Sequence, residues 1–185
     1  MGEMLEVRWH GRGGMGSVTS AELFASAAID EGKYAQSFPS FGPERRGAPV
    51  VAFLRISDEF IRIRTNIDTP DIVVVVDPKL LDQIDVTTGL KEHGKIIVNS
   101  SKSPEQLKAQ YGFKWAVASV DGSKIARETI KLPITNTAMM GALERVTEVV
   151  GMDSLVERLK GRFGPRAEAN IDAMKRAYRE TVMKE

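Results

Sequence analysis

His10-Gly11-Arg12-Gly13-Gly14-Met15-Gly16-Ser17 is the stretch from which the rest of the chain is read. It lies between an alternating run, Leu5 to Trp9, and an alanine-rich run, Val18 to Glu31. Strand, glycine turn and helix, in that order, open a βα unit of the kind that handles nucleotides and phosphates. Four glycines in six positions let the backbone take positive φ and approach a ligand or another chain closely. The first amides of the following helix have no intrahelical partner and present the positive end of its dipole, so an anion is held there without a special side chain. Gly11, Gly13 and Gly16 match G-x-G-x-x-G. Two readings stand: contact with a phosphate or a partner's backbone, or only a tight turn with close helix–sheet packing. Gly13 is expected to need positive φ and so to reject a branched side chain.

The bulk numbers exclude several function classes. At 185 residues, with 42% hydrophobic and 28% charged residues, the chain has the composition of one soluble α/β domain spanning 1–185. A net charge of +1 implies no bulk attraction to nucleic acid or to an anionic membrane. No apolar run approaches the roughly 20 residues of a membrane span. The first residues lack a basic segment followed by an apolar one, so no signal peptide is expected. There are no cysteines, which rules out disulfides and cysteine-ligated clusters. The two histidines, His10 and His93, show no metal-ligand spacing and read as surface or loop residues.

Beyond the first helix, Lys33 to Ser37 reads as a short strand. The stretch Phe38 to Pro49 holds three prolines and two glycines and reads as an ordered functional loop, with Glu44, Arg45 and Arg46 as its polar centre. Val50 to Ser57 reads as a strand, with Phe60 to Arg64 as the return strand of a hairpin. Ile72 to Val76 is a strand buried on both faces. Asp77 after it, with Pro78 at the first helical position, reads as a helix cap rather than a ribose ligand. Lys95 to Asn99 and Trp115 to Val120 are further strands. They alternate with helices at Pro104 to Tyr111, capped by Ser103, and Asp121 to Thr129. The last third is helical. Met139, Leu143, Val146 and Val150 form one stripe, with Met139 and Met140 as core filler. Gly151 ends that helix and Asp153 caps the next, Ser154 to Lys160. Ala167, Ile171, Met174, Tyr178 and Val182 form a final helical stripe. The predicted fold is α/β: a mainly parallel Rossmann-like sheet with a β-hairpin, helices on both faces and a helical C-terminal third.

No nucleophile–base–acid set can be assembled from two histidines. Met15 and Gly16 stand where a P-loop needs Gly and Lys. No acidic residue ends a second strand in the manner of an NAD site, since Phe38 and Pro39 follow Ser37. A free-standing dehydrogenase is therefore not expected.

Three segments together carry a resemblance. Gly11-Arg12-Gly13-Gly14-Met15-Gly16 is followed by Ser40-Phe41-Gly42-Pro43-Glu44-Arg45-Arg46-Gly47, and Asn136-Thr137-Ala138-Met139-Met140-Gly141-Ala142 opens a late helix. This looks like the gamma subunit of 2-oxoacid:ferredoxin oxidoreductases, the pyruvate synthase group, over nearly the whole chain. Ala48 departs from a glycine common in that family. The resemblance implies an enzyme that converts pyruvate, coenzyme A and oxidised ferredoxin to acetyl-CoA, carbon dioxide and reduced ferredoxin. It implies alpha, beta and delta subunits as partners, ferredoxin reached through the complex, and a cytoplasmic location. Thiamine diphosphate, Mg and iron–sulfur clusters are expected in partner subunits, none of them held by this chain alone, with coenzyme A as co-substrate. Gly11, Arg12, Gly13, Gly14, Met15, Gly16, Glu44 and Arg46 are the residues expected to meet the coenzyme; catalytic and metal residues are expected to be absent. Branches acting on 2-oxoglutarate, branched-chain 2-oxoacids or indolepyruvate share these motifs.

Overall fold

The computed structural model describes residues 4–40 and 47–185. Seven strands form one sheet: β1 (Leu5–Arg12), β2 (Tyr34–Pro39), β3 (Pro49–Ser57), β4 (Ile72–Val75), β5 (Lys95–Asn99), β6 (Ala116–Val120) and β7 (Val182–Lys184). Their order across the sheet is β2-β3-β1-β4-β5-β6-β7. β1, β4, β5 and β6 run parallel. The flanking pairings of β1 with β3, β2 with β3 and β6 with β7 are antiparallel. The expected α/β sheet with a parallel centre is therefore present.

The helices are α1 (Ser17–Asp30), α2 (Pro104–Tyr111), α3 (Gly122–Thr129), α4 (Asn136–Thr147), α5 (Met152–Phe163) and α6 (Ala167–Glu180). They divide unequally between the two faces. Val7, Trp9, Val74 and Ile97 pack beneath α1, α3, α4, α5 and α6, through Phe24, Ile125, Met139, Leu155 and Met174. Alternate residues of the same strands, Val73, Val75, Ile96 and Val98, pack against Leu107 of α2 and against Val86. The continuous branched run of β4 is buried on both sides for this reason. Each such side chain contributes about 1.5–3 kcal/mol on burial.

Local signals placed several boundaries. Ser103 and Gln106 form a reciprocal capping box, with Pro104 in the first turn of α2. Asp121 accepts the Lys124 amide at the start of α3. Met139 and Met140 are fully buried. The sequence of Gly141 is explained by α6: a Cβ at that position would run into the backbone of Met174 and Tyr178. Glycine there lets the two helices cross at close range.

Several expectations need correction. Phe60 to Arg64 is not a strand; the antiparallel neighbours of β3 are β1 and β2, so the hairpin is β2–β3. Of the apolar residues after Ser57, Ile61 and Ile67 are buried while Phe60 and Ile63 are exposed, and the segment is held by Arg55. Arg55 is itself buried. It pairs with Glu6 at 2.8 Å and donates to the carbonyls of Thr65 (2.8 Å) and Asn66 (3.3 Å), replacing ladder hydrogen bonds with side-chain ones. α4 stops at Thr147, so Val150 lies beyond its stripe and Gly151 does not end it; Gly151 is instead the N-cap residue of α5, and Asp153, inside the first turn, is not a cap. Val182 leaves the final helical stripe, because α6 ends at Glu180 and the chain turns into edge strand β7. His10 is buried within β1 rather than on a surface or loop.

Candidate functional site

β1 and β4 lie side by side, yet the chain leaves them in opposite directions. From β1 it passes through α1 to β2, on one side; from β4 it passes to β5, on the other. Such a reversal opens a crevice at the carboxyl ends of the strands, where open α/β sheets take ligands. The glycine stretch lies there.

Its members do different things. Gly11 and Arg12 belong to β1, which runs further than the alternation of Leu5 to Trp9 suggested. A Cβ at Gly11 would overlap Ser17 Oγ, so this glycine lets α1 start hard against the strand. Gly13 donates to the Ala48 carbonyl (3.0 Å) and accepts from Gly47 (3.4 Å), tying the corner to the start of β3. The positive φ expected at Gly13 falls instead at Gly14 (89°) and Gly16 (79°). Met15 closes the turn, its amide donating to the Arg12 carbonyl at 3.0 Å, and its side chain packs against the helical core. Close packing and a tight turn are thus real roles of these glycines.

Arg12 is a clamp. Its Nε donates to Asp77 at 2.5 Å, its second nitrogen to the Gly47 carbonyl at 3.1 Å and its third to Gln83 at 2.7 Å. Asp77 also accepts the Lys79 amide, so the expected cap is present and the same carboxylate holds Arg12. Sequence spacing gave no sign of that second role. Three of the five guanidinium N–H groups face protein acceptors. Arg12 therefore positions the corner first.

The feature that sequence reasoning missed is the meeting of two helix starts. Gly16 abuts Asn136, the first residue of α4; a Cβ on Gly16 would lie 2.8 Å from the Asn136 amide group. Ser20 Oγ, in the second turn of α1, donates to the Asn136 carbonyl at 3.3 Å. Neither helix carries a side-chain cap. Two uncapped helices of 14 and 12 residues therefore bring their positive ends to one place. Ser17 Oγ and Asn136 Oδ1 are buried there without a hydrogen-bond partner. The sequence signal was the pairing of the glycine stretch with Asn136–Gly141, which periodicity alone does not connect.

Among the described residues the corner holds no acid–base machinery. His10 accepts from Arg8 Nε at 3.1 Å, and burial followed by the Arg8 charge pushes its pKa down to about 4. Among the described residues no group of three or more His, Cys, Asp or Glu is arranged to hold a metal. Glu44 and Arg46 lie outside the described residues.

Residues 6–180 match the family described as pyruvate ferredoxin/flavodoxin oxidoreductase. The chain belongs to that family. It is similar to the pyruvate/ketoisovalerate oxidoreductases common subunit gamma of Thermococcus kodakarensis, with 52% identity over 98% of this chain and 100% of that one. It is 47% identical to the pyruvate synthase subunit PorC of Methanothermobacter thermautotrophicus, over 96% of each. The crystal structure of pyruvate oxidoreductase subunit PORC from Thermotoga maritima superposes with a TM-score of 0.88 at 39% identity, covering 99% of both chains. The oxidoreductase chain described here is thus of the gamma, or PorC, subunit type. Within this family member, Gly16, Asn136 and Gly141 acquire one joint meaning: they let α1, α4 and α6 converge behind the crevice. No helix of the described residues is long and apolar enough to cross a membrane.

Proposed function

We propose that this chain is the gamma subunit of a pyruvate:ferredoxin oxidoreductase, working with alpha, beta and delta subunits and delivering electrons through the complex to ferredoxin. Oxidative decarboxylation of pyruvate, with thiamine diphosphate, Mg and iron–sulfur clusters, belongs to the partner subunits. This chain supports assembly in the cytoplasm, is inert alone, and binds a phosphate of coenzyme A at the glycine corner. The observation that carries the coenzyme reading is the convergence of two uncapped helix N-termini at Gly16 and Asn136, an anion-favouring field beside an exposed glycine turn. Arg46 and Glu44 are assigned to the same ligand on their sequence position. A guanidinium suits a phosphate, which it grips with two parallel hydrogen bonds.

The test uses Gly14, whose Cβ would meet nothing within 4 Å. Gly14→Asp places a negative charge at the corner; Gly14→Asn is the neutral control of equal shape, and both residues tolerate left-handed backbone. In the assembled enzyme, Gly14→Asp should raise the coenzyme A KM several-fold with pyruvate KM unchanged, and Gly14→Asn should not. Equal coenzyme A KM in the two variants overturns the reading.

One observation favours a second reading of substrate. Relatives at 50–52% identity are common gamma subunits of both pyruvate and ketoisovalerate oxidoreductases. On that reading the chain serves two catalytic partners and does not choose between 2-oxoacids. Reconstitution with each set of partner subunits separates the two.

A further inference from the structure

A second hollow, of about 500 Å³, begins at Asn136 and runs between α1, the segment before α4 and the α5–α6 junction. Ile130, Ile134 and Phe163 form apolar walls. Leu132 also lines it and is 48% exposed, and Ile134 is 39% exposed. Single exposed aliphatics are ordinary, but two at the rim of an apolar hollow make a continuous surface.

The charges around it are unbalanced. Nearby cations on α5 and α6 have acids: Arg158 pairs with Asp30, Lys160 with Glu157, and Arg176 with Glu128 and Glu180. Arg162 and Arg166, both lining the hollow, have no side-chain acid among the described residues. Arg162 in the last turn of α5 is explained by the helix dipole. Arg166 is not. It is the N-cap residue of α6, where a cation faces the positive end of the dipole. Asn136, which lines the inner end, is 3% exposed, and its Oδ1 is buried without a partner among the described residues. A buried acceptor left unpaired loses its hydration without replacement, so a donor is wanted there.

We propose that this hollow docks an extended segment of a neighbouring subunit of the oxidoreductase, one that carries a large apolar side chain and an Asp or Glu close to it. The apolar side chain fills the space between Ile130, Ile134 and Phe163. The carboxylate neutralises Arg162 and Arg166, and a main-chain N–H of the segment serves the Asn136 amide oxygen. A polypeptide fits better than a small anion because the two arginines share the hollow with an apolar wall of Ile130, Leu132, Ile134 and Phe163, which a small anion leaves uncovered. The inference rests on the reading of this chain as a subunit of a larger enzyme and names the surface by which it is held.

The experiment uses the full chain and the partner complex prepared without it. The double variant Arg162→Glu/Arg166→Glu should bind that complex at least tenfold more weakly, with its own thermal midpoint unchanged. Arg162→Lys/Arg166→Lys should stay within threefold of the parent chain. A photoreactive residue at Leu132 should cross-link to a partner-subunit peptide containing Asp or Glu. Unchanged affinity of the charge-reversed chain overturns the proposal, as does a cross-link to a second copy of this chain. Normal assembly with a raised KM for coenzyme A or the 2-oxoacid also overturns it, in favour of a small-anion site. Failure of the Gly14 test alone leaves this proposal standing, because the two readouts are separate.

Discussion

Gly16→Ala measures how tightly the two helix starts are pressed together. Gly16 sits at φ 79°, where a residue with a Cβ costs about 1–2 kcal/mol. Its new methyl group would also lie 2.8 Å from the Asn136 side chain, and overpacking of this kind typically costs about 1–3 kcal/mol. The expected loss is roughly 2–5 kcal/mol, a large part of the roughly 5–15 kcal/mol that holds a domain together. Gly14→Ala is the internal standard. Its φ of 89° carries the same backbone strain, but nothing lies within 4 Å of its Cβ, so only about 1–2 kcal/mol should be lost. Urea titration followed by circular dichroism gives both values, and the difference between them isolates the Asn136 contact. Adding Asn136→Ala to Gly16→Ala should return at least about 1 kcal/mol relative to additivity, because the two side chains share one space. If Gly16→Ala is no more damaging than Gly14→Ala, the close approach of α1 and α4 at this point is refuted.

Three further outcomes are expected. Gly141→Ala should destabilise the chain by about 3 kcal/mol or more, since its Cβ meets α6 backbone rather than a flexible side chain; a thermal midpoint within 2 °C of the parent contradicts this. Glu144 is buried near Glu31 and Glu148, and burial, followed by those charges, pushes its pKa from 4.5 up to about 8 against the opposing Val150 hydrogen bond. The folded state then holds the proton more tightly than the unfolded chain, so stability is full below about pH 4.5 and falls until about pH 8. Glu144→Gln should flatten that decline, gaining on the order of 2 kcal/mol at pH 9 in denaturant titrations, whereas parallel pH profiles rule the assignment out. The purified chain, given pyruvate, coenzyme A and an electron acceptor, should show no turnover until partner subunits are added; activity from the chain by itself contradicts its role as a supporting subunit.

Much of the architecture was legible because local physics was strong. Branched residues in an unbroken run, Ile72 to Val75, can only be buried on both faces, and Ser103-Pro104-Glu105-Gln106 carries every group a capping box needs. Where the segment after Ser57 was misjudged, the alternation was genuine, but only Ile61 of that run is buried, and the segment is held by a long-range contact. Arg55 and Glu6 are 49 positions apart, and no local pattern links them. The short strand β7 escaped for a related reason: it exists because the edge of β6 offers hydrogen bonds, not because Val182 to Lys184 prefers extension.

The candidate site divides along the same line. That a glycine-rich corner follows the first strand, that Asp77 caps the next turn, and that no cysteine or paired histidine supplies redox chemistry are properties of residue type and order. They follow from backbone freedom and side-chain chemistry, which act within a few residues. The Arg12–Asp77 clamp spans 65 positions, and the seat of Gly16 against Asn136 spans 120. Those contacts exist only because the sheet reverses its winding between β1 and β4 while α4 returns to pack over the same face. Sequence decides which groups are available; chain topology decides which of them meet, and only the folded sheet brings two helix N-termini to one corner.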